Sequence, residues 1–355
     1  MLTEKQMDEI REHLSKAQNP LFFYDNDVDG LCSFLILRRF LGRGKGVAVK
    51  SYPDLNVQYA RRVQELNADY VFVLDKPLIS KEFIEEIDKM QIPMVWIDHH
   101  DVEGNDIHKK DNLFVYNSAK NLGKSKSFEP TTCLVYKLNE RKEDMWLAVM
   151  GCIADHYTPD FISDFEKEYP EFFSKRKVKG PFEIYYTTEI GKIAQALSFG
   201  LKDSITHVVQ MQNFLISCKG PGDVFQEIEN NSNFRKRYLE IKNKYDSLIE
   251  KGKKEVFGNL VFFDYTGDLS ISAELANELC YLYPEKYVVT AFIKGGITNI
   301  SLRGKNVKDL LEKLLKQFEG ASGGGHEDAA GARIKTSDLA RFRESMEKEV
   351  NKNGK

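Results

Sequence analysis

The segment 20-PLFFYDNDVDGLCSFLILRRFL-41 joins a short apolar run to a helical pattern through an acidic loop. Its first six residues predict a buried strand, and the apolar stretch from Asp29 onward predicts a buried helix. Further apolar runs predict three more strands, and helical patterns lie between them: strands 46–52, 70–75 and 93–98, and helices 29–41, 57–67 and 80–91. This alternation predicts an α/β domain with a doubly wound, mainly parallel sheet.

The rest of the chain changes character twice. Two helices are predicted at 131–140 and 144–155, and the region 173–256 is rich in helical patterns, with one long charged helix at 232–256. From about residue 258 strand and helix patterns mix again: strands 259–265, 286–294, 297–303 and 330–335, helix 306–318, and a glycine-rich loop before the last strand. We therefore expect a catalytic domain at 1–172, a helical connector at 173–256 and a smaller mixed α/β domain at 257–350.

The bulk composition excludes several classes of protein. The net charge of −3 over 355 residues means that any surface for a polyanion must be a local patch. Five scattered cysteines without a CxxC pair support neither a disulfide framework nor a cysteine zinc site. No apolar run approaches the ~20 residues that a membrane span needs. We expect a cytoplasmic protein without a membrane partner.

The acidic loop holds three aspartates at alternate positions, Asp25, Asp27 and Asp29. One aspartate before a helix is a common cap, but three after a buried strand are not explained by capping. The spacing also matches the opening of a calcium-binding EF-hand loop, which requires a glutamate at position 12. That position is Ile36, so a calcium site of this kind is excluded.

Other acids and two histidines follow the neighbouring strands. Asp75 and the triplet Asp98-His99-His100 each end an apolar strand, and Asp155 ends a buried helix. Ligands of parallel sheets bind beyond the carboxyl ends of the strands, where these side chains meet. Carboxylates and imidazole without thiolate favour Mn²⁺, or else Mg²⁺, over zinc. The set is large enough for two ions that share a bridging carboxylate, an arrangement that hydrolyses phosphate esters.

A second candidate site lies in the C-terminal region, in 320-GASGGGHEDAAGARI-334. The backbone N–H groups of Gly323, Gly324 and Gly325 can approach an anion closely, and His326 adds a donor. Arg303, at the end of a predicted strand, is a suitable bidentate partner for a phosphate. A plain flexible turn is the alternative, and we favour phosphate or nucleotide-end binding.

The motifs DNDVDG, LDKP, DHH, GCIAD and GGGH, in this order, resemble the DHH phosphoesterase superfamily with its DHH-associated C-terminal domain. The resemblance implies a two-domain hydrolase with its active site in the cleft between the domains. It implies that Asp27 and Asp75 hold one metal ion, with Asp75 bridging to a second. The residues it implies for that second ion are Asp29, Asp75, His99 and Asp155. It further implies that His100 faces the scissile phosphate, that Asp25 lies beside the ions, and that Arg303 and the Gly323–His326 loop bind the substrate.

The details are most similar to the RecJ-like single-strand exonuclease branch, in its compact archaeal form. The DxDxDG spacing and 151-GCIADHYTP-159 carry this likeness. Two features depart from the family. Phe23 stands where the pyrophosphatase and oligoribonuclease branches carry a histidine, which weakens the expected first metal site. Lys76-Pro77 after Asp75 is also unusual.

These features lead to one main functional hypothesis and two alternatives. The main hypothesis is a metal-dependent exonuclease on single-stranded DNA or RNA. The basic run 174–180 and helix 234–244 are candidates to follow the phosphate backbone, unless they are ordinary solvated surfaces, and Tyr157 or Phe182 offer stacking surfaces. The first alternative is a phosphodiesterase for very short oligonucleotides or cyclic dinucleotides. The second is an inactive relative that serves as a replication scaffold. An active enzyme of this kind is also compatible with replication or repair proteins as partners.

Overall fold

The computed structural model describes residues 1–51, 54–101, 110–121, 129–173 and 178–352. It divides into two compact units, Met1–Tyr238 and Leu239–Lys355. The helices are α1 Glu4–Lys16, α2 Val28–Leu41, α3 Arg61–Glu65, α4 Lys81–Lys89, α5 Thr131–Tyr136, α6 Met145–Ala154, α7 Ile162–Glu168, α8 Pro181–Thr187, α9 Glu189–Gly200, α10 Ile205–Ser217, α11 Ser232–Gly252, α12 Ser272–Leu282, α13 Val307–Leu315 and α14 Leu339–Lys352. The strands are β1 Pro20–Asp25, β2 Lys45–Val49, β3 Asp54–Leu55, β4 Tyr70–Leu74, β5 Leu78–Ile79, β6 Met94–Asp98, β7 Leu113–Asn117, β8 Val256–Phe257, β9 Leu260–Thr266, β10 Tyr287–Lys294, β11 Ile297–Arg303, β12 Ser322–His326 and β13 Ala329–Lys335.

The first unit is built on a five-stranded sheet in the order β2-β1-β4-β6-β7. All its neighbouring strands run parallel. The inner strands β1, β4 and β6 are buried on both faces, which explains their nearly continuous apolar sequences. The predicted doubly wound, mainly parallel sheet is therefore confirmed. Strand β7, at the edge of the sheet, was not among the predicted strands.

Helix α2 connects the acidic loop to the core of the first unit. It begins after Asp27, ends at Gly42 in the left-handed conformation, and is buried from Val28 to Leu37. It packs against α5 and α6, so it is covered on more than one side. This explains why its sequence is apolar almost all round rather than along one stripe.

The second unit contains a six-stranded mixed sheet in the order β12-β13-β11-β10-β9-β8. Strands β9 and β10 are parallel and the other pairs are antiparallel. The prediction of a loop for the glycine-rich segment is wrong, because this segment forms the edge strand β12. Gly323, Gly324 and Gly325 pair with Ala332, Gly331 and Ala330 of β13. The predicted smaller mixed α/β domain is confirmed as a second mixed sheet with helices.

The remaining predictions concern helices and the chain between the sheets. Helices α8 to α11 lie in the region expected to be rich in helices, and α11 contains the division between the two units. Residues 174–177 of the predicted basic run lie outside the described residues. All five cysteines are free thiols, as expected. In the described part of the chain, no helix has the length and hydropathy to cross a membrane.

Candidate metal centre

The acidic residues lie at one edge of the first sheet because three neighbouring strands end there. Asp25 is the last residue of β1, Asp75 follows β4, and Asp98 is the last residue of β6. Strand β4 lies between the other two, so Asp75 occupies the middle of this edge. Parallel strands thus bring residues far apart in sequence to one place.

Asp27 and Asp29 are fixed by different helices. Asp27 is the N-cap of α2, and its side chain accepts a hydrogen bond from the Gly30 N–H at 2.9 Å. Asp29 is buried, and its two carboxylate oxygens accept hydrogen bonds from the first N–H groups of α5, Thr131 at 2.9 Å and Thr132 at 2.7 Å. The orientation of the Asp29 carboxylate is therefore set by the backbone of another helix.

Asp75 is buried and has a left-handed backbone conformation with φ of 59°. Aspartate tolerates this region better than most residues. Its Oδ1 accepts a hydrogen bond from the Thr131 hydroxyl at 3.2 Å and lies 3.3 Å from His99 Nε2. The turn after β4 therefore directs this carboxylate towards the histidine after β6.

Three carboxylates lie close to the ring of His99. Its Nε2 lies 3.3 Å from Asp75 Oδ1, 3.7 Å from Asp155 Oδ2 and 3.8 Å from Asp29 Oδ2. Two groups of side chains have donor atoms close enough to share an ion: Asp29, His99 and Asp155, and Asp75, His99 and His100. The structure thus brings together four of the five predicted ligands, while Asp27 belongs to neither group among the described residues.

His100 is held by Asp98 rather than by the other carboxylates. Its Nδ1 lies 2.8 Å from Asp98 Oδ1, and Asn117 on β7 donates to Asp98 Oδ2 and to the His100 carbonyl. Burial lowers the pKa of His100, but the hydrogen bond and charge of Asp98 outweigh burial and raise that pKa to about 9. In the ion-free protein this pKa favours the positively charged form of His100 at neutral pH. Asp101, the other acid beside the histidines, is exposed.

The electrostatics of the cluster suit a divalent cation. Burial raises the pKa of Asp75 well above its ordinary value, and neighbouring carboxylates, Asp29 first, raise it further. Such a rise means that several negative charges lie close together without enough positive charge among them. Oxygen donors with imidazole and no thiolate match the preferences of Mn²⁺ and Mg²⁺. The residues present therefore fit a metal centre of this kind.

Asp25 has a positive partner of its own. The ammonium of Lys76, a fully buried residue, lies 2.7 Å from Asp25 Oδ1 and also donates to the Ser51 carbonyl at 2.8 Å. The family resemblance implies that Asp25 lies beside the metal site, but it did not predict this ion pair.

A row of three rings begins at His156, the residue after Asp155. His156, next to Asp155, stacks on Phe182 at a ring-centroid distance of 3.9 Å and an angle of 14°. Tyr186, one helical turn further along α8, lies 6.3 Å from Phe182 at an angle of 18°. Of the two predicted stacking residues, Phe182 thus belongs to a row of nearly parallel rings.

The candidate phosphate-binding residues of the second unit occupy one end of its sheet. Ala329 of β13 pairs with Arg303 of β11 on one side and with His326 of β12 on the other. The Arg303 side chain donates to Asn277 Oδ1 at 2.5 Å and to the Leu302 carbonyl at 2.9 Å. Gly323 to Gly325 lie in the same edge strand as His326.

Sequence reasoning missed the residues that support the ligands. Thr131, Thr132 and Asn117 hold Asp29, Asp75 and Asp98, but a threonine at a helix start has many ordinary roles. The short continuous apolar run in 113-LFVYN-117 was an available signal for β7 and its terminal asparagine.

Two family models match the chain. The model described as "DHH family, N-terminal domain" matches residues 21–158, and the DHHA1 domain model matches residues 258–352. The chain belongs to the DHH family. The first match contains every predicted metal ligand of this DHH protein, and the second contains Arg303 and Gly323–His326. No curated protein sequence shows significant similarity to the chain.

Solved structures share the fold at low sequence identity. RecJ from Thermus thermophilus in complex with Mn²⁺ has a TM-score of 0.67 at 13% identity, and the exonuclease RecJ bound to manganese has 0.63 at 14%. CDC45 from Entamoeba histolytica has a TM-score of 0.54 at 11% identity. The matches cover 98%, 99% and 97% of this chain, and 54%, 95% and 98% of the other chains. The DHH chain therefore spans about half the length of the Thermus protein.

Mn²⁺ is expected to raise the midpoint of thermal unfolding, and to raise it more at pH 8 than at pH 6. Burial, followed by the charges of Asp25 and Asp29, raises the pKa of Asp27 to about 7 in the ion-free fold, and the pKa of Asp75 is raised in the same direction. Asp27 therefore binds a proton at pH 6 and has largely lost it at pH 8, so the folded state loses stability over this range. Protons also compete with the ion. At a concentration 100 times its dissociation constant the ion adds about 2.7 kcal/mol, which corresponds to several degrees.

Differential scanning fluorimetry with Mn²⁺ or with EDTA at both pH values measures this effect. The midpoint in EDTA should fall from pH 6 to pH 8 while the Mn²⁺-dependent increment grows. An increment that is absent, or that shrinks at pH 8, would contradict a carboxylate-rich metal centre.

Proposed function

We propose that the chain is a metal-dependent phosphodiester hydrolase that acts as an exonuclease on single-stranded DNA or RNA. The observation that carries this proposal is the convergence of Asp29, Asp75 and Asp155 within 3.8 Å of His99 Nε2. DHH family membership and this donor set support phosphoesterase chemistry. The RecJ relatives, one named as an exonuclease, support the substrate class.

The residues of the centre would divide the work of hydrolysis. A bound Mn²⁺ or Mg²⁺ lowers the pKa of a water molecule and stabilises charge on a phosphoryl group. Asp29 is held by the N–H groups of α5, so its carboxylate needs little reorganisation to bind a cation. The protonated form of His100, which the ion-free cluster favours at neutral pH, is a cationic donor suited to an anionic phosphate.

The second unit contains candidate residues for binding a phosphate of the substrate. Arg303 and His326 lie in strands on either side of Ala329. The three glycines of the edge strand β12 have no side chains that would cover its backbone. We assign phosphate binding to Arg303 and to Gly323–His326. A guanidinium and closely approachable backbone N–H groups are donors suited to a phosphate.

The row of rings beside Asp155 supports a single-stranded substrate. Bases of a single strand stack on aromatic side chains in a sequence-tolerant way. Phe182 and Tyr186 are partly exposed and nearly parallel. They lie on α8, next to the residue that follows a predicted ligand.

The direct test uses single strands of DNA and RNA labelled at the 5′ or the 3′ end, incubated with Mn²⁺ or with EDTA. Progressive shortening from one end, only with Mn²⁺, is the expected result and gives the polarity. Cleavage of dinucleotides alone, with long strands intact, would replace the proposal by the short-oligonucleotide phosphodiesterase. If the protein cleaves no phosphodiester in the presence of Mn²⁺, the alternative of an inactive replication scaffold would replace the proposal.

Replacing Phe182 and Tyr186 together by Leu is expected to raise KM for a strand of about ten or more nucleotides. Loss of base stacking costs about 1–3 kcal/mol per base, so the rise should be roughly 5- to 100-fold. kcat on a dinucleotide should change little, because the metal ligands are untouched. Phe40→Leu, at an exposed position, is the control. An equal KM for variant and control would show that these rings do not bind the strand.

A further inference from the structure

Lys76 is a charged residue with no solvent exposure at the edge of a sheet that carries the metal ligands. Its ammonium donates to Asp25 Oδ1 at 2.7 Å and to the Ser51 carbonyl at 2.8 Å. Its own carbonyl accepts a hydrogen bond from Trp96 Nε1 at 2.8 Å. A buried ammonium needs such a set of partners because removing it from water is costly. Hydrogen bonds therefore hold both the ammonium of Lys76 and its backbone carbonyl.

The sheet order shows which side of the edge the ammonium occupies. Ser51 follows β2, which lies next to β1, while His99 follows β6 on the far side of β4. Lys76 begins beside Asp75, after β4, and reaches back past Asp25 to Ser51. Its charge therefore lies towards β2, whereas the donors around His99 lie towards β6.

The two sides of the edge offer different donors to a cation. Around His99 there are the imidazoles of His99 and His100 and the carboxylates of Asp29, Asp75 and Asp155. Towards β2, Asp25 is paired with Lys76 and Asp27 caps α2. Neither carboxylate belongs to a group of potential ligands among the described residues.

Phe23 is an apolar residue on the β2 side of the edge and supplies no donor there. It lies two residues before Asp25 on β1, so both side chains point to the same face of the sheet. The Phe23 ring is buried in the core, with its centroid 5.5 Å from that of Phe83. Among the residues that the structure describes, Asp27 and the shared Asp75 are the carboxylates left for an ion on this side.

We propose that Lys76 sets the metal content of the centre: by pairing with Asp25 it limits the resting protein to one tightly held divalent ion per chain. The inference rests on the proposed function only in taking this edge as a metal centre. One or two carboxylates together with substrate phosphates are a common way to hold Mg²⁺. A second ion would therefore bind tightly only when a phosphate arrives with it.

The test counts ions in the full-length protein. The chain is stripped with EDTA, loaded with MnCl₂, desalted and analysed for manganese by mass spectrometry and for spin coupling by electron paramagnetic resonance. The unaltered protein should retain about one Mn²⁺ per chain with the spectrum of an isolated ion. Lys76→Met frees Asp25 as a third carboxylate, so this variant should retain about two ions with a spin-coupled spectrum.

Two controls and two contrary results complete the design. Lys76→Arg keeps the positive charge and Lys81→Met removes an exposed lysine paired with Glu85; each should retain one ion. Two ions in the unaltered protein would overturn the inference whether or not the Met variant folds, and so would one ion in a folded Lys76→Met. A protein that holds one ion but cleaves no phosphodiester would refute the proposed function and leave the inference standing.

Discussion

Asp75→Asn is expected to lower turnover by at least about 10³-fold and to abolish tight Mn²⁺ binding. Residues that merely orient a metal ligand cost roughly 10- to 100-fold when replaced, and a central ligand should cost more. Asp75 occupies the middle of the carboxyl edge, and its Oδ1 lies 3.3 Å from His99 Nε2 and 3.2 Å from the Thr131 hydroxyl. A neutral amide at this place removes an anionic donor from the cluster.

Asparagine is the informative replacement because it removes the negative charge of Asp75 without straining the backbone at this position. The φ of 59° at Asp75 lies in the left-handed region, which asparagine tolerates and alanine does not. The variant should therefore fold, and its ion-free midpoint should equal or exceed that of the parent because a crowded negative charge is gone. Turnover on a labelled strand, together with the Mn²⁺-dependent thermal shift, measures both effects.

Asp101→Asn is the matched control for this experiment. Asp101 flanks the same histidine pair but is exposed. It should keep both turnover and the thermal shift. Retained hydrolysis in Asp75→Asn, at the level of the Asp101 control, would exclude Asp75 as a metal ligand.

The clustering of the acidic residues was largely predictable because strand ends are visible in the sequence. Apolar runs that stop at Asp25, Asp75 and Asp98 place these residues on the carboxyl edge, whatever the exact strand lengths. The neighbouring helix α6 ends at Ala154, so Asp155 also follows an element with a clear apolar pattern. The same pattern, an apolar element that ends at an aspartate, therefore identified candidate residues in four separate segments of the chain.

The ion pair between Lys76 and Asp25 at this edge was not predictable, because it depends on the direction in which the Lys76 side chain points. Lys76 follows Asp75 directly, and nothing in the sequence indicates that its side chain turns inward to Asp25. Likewise, the glycines of β12 predict a loop by their low strand propensity. Backbone pairing with β13 overrides that propensity, and Gly323 fits because an added Cβ would lie 2.6 Å from the Gly331 carbonyl oxygen.

Gly151→Ala is expected to damage the metal centre from a position outside it. A Cβ at Gly151 on α6 would clash with the Thr132 hydroxyl and lie 2.7 Å from its Cβ and Cγ2. Thr132 donates its N–H to Asp29 Oδ1 at 2.7 Å and its hydroxyl to the Asp29 carbonyl at 2.7 Å. Any shift of α5 that relieves the clash therefore moves the groups that hold Asp29.

Two effects should appear together in this variant. Overpacking of a dense core costs about 1–3 kcal/mol, which lowers the midpoint of unfolding. Misplacement of a ligand's support lowers metal affinity and turnover by roughly 10- to 100-fold. Gly296→Ala, where an added Cβ meets no atom within 4 Å, is the control for glycine replacement. Mn²⁺ titration and denaturant unfolding of both variants separate the effects. A folded Gly151→Ala with unchanged Mn²⁺ affinity would show that the position of Asp29 does not depend on the contact between α5 and α6.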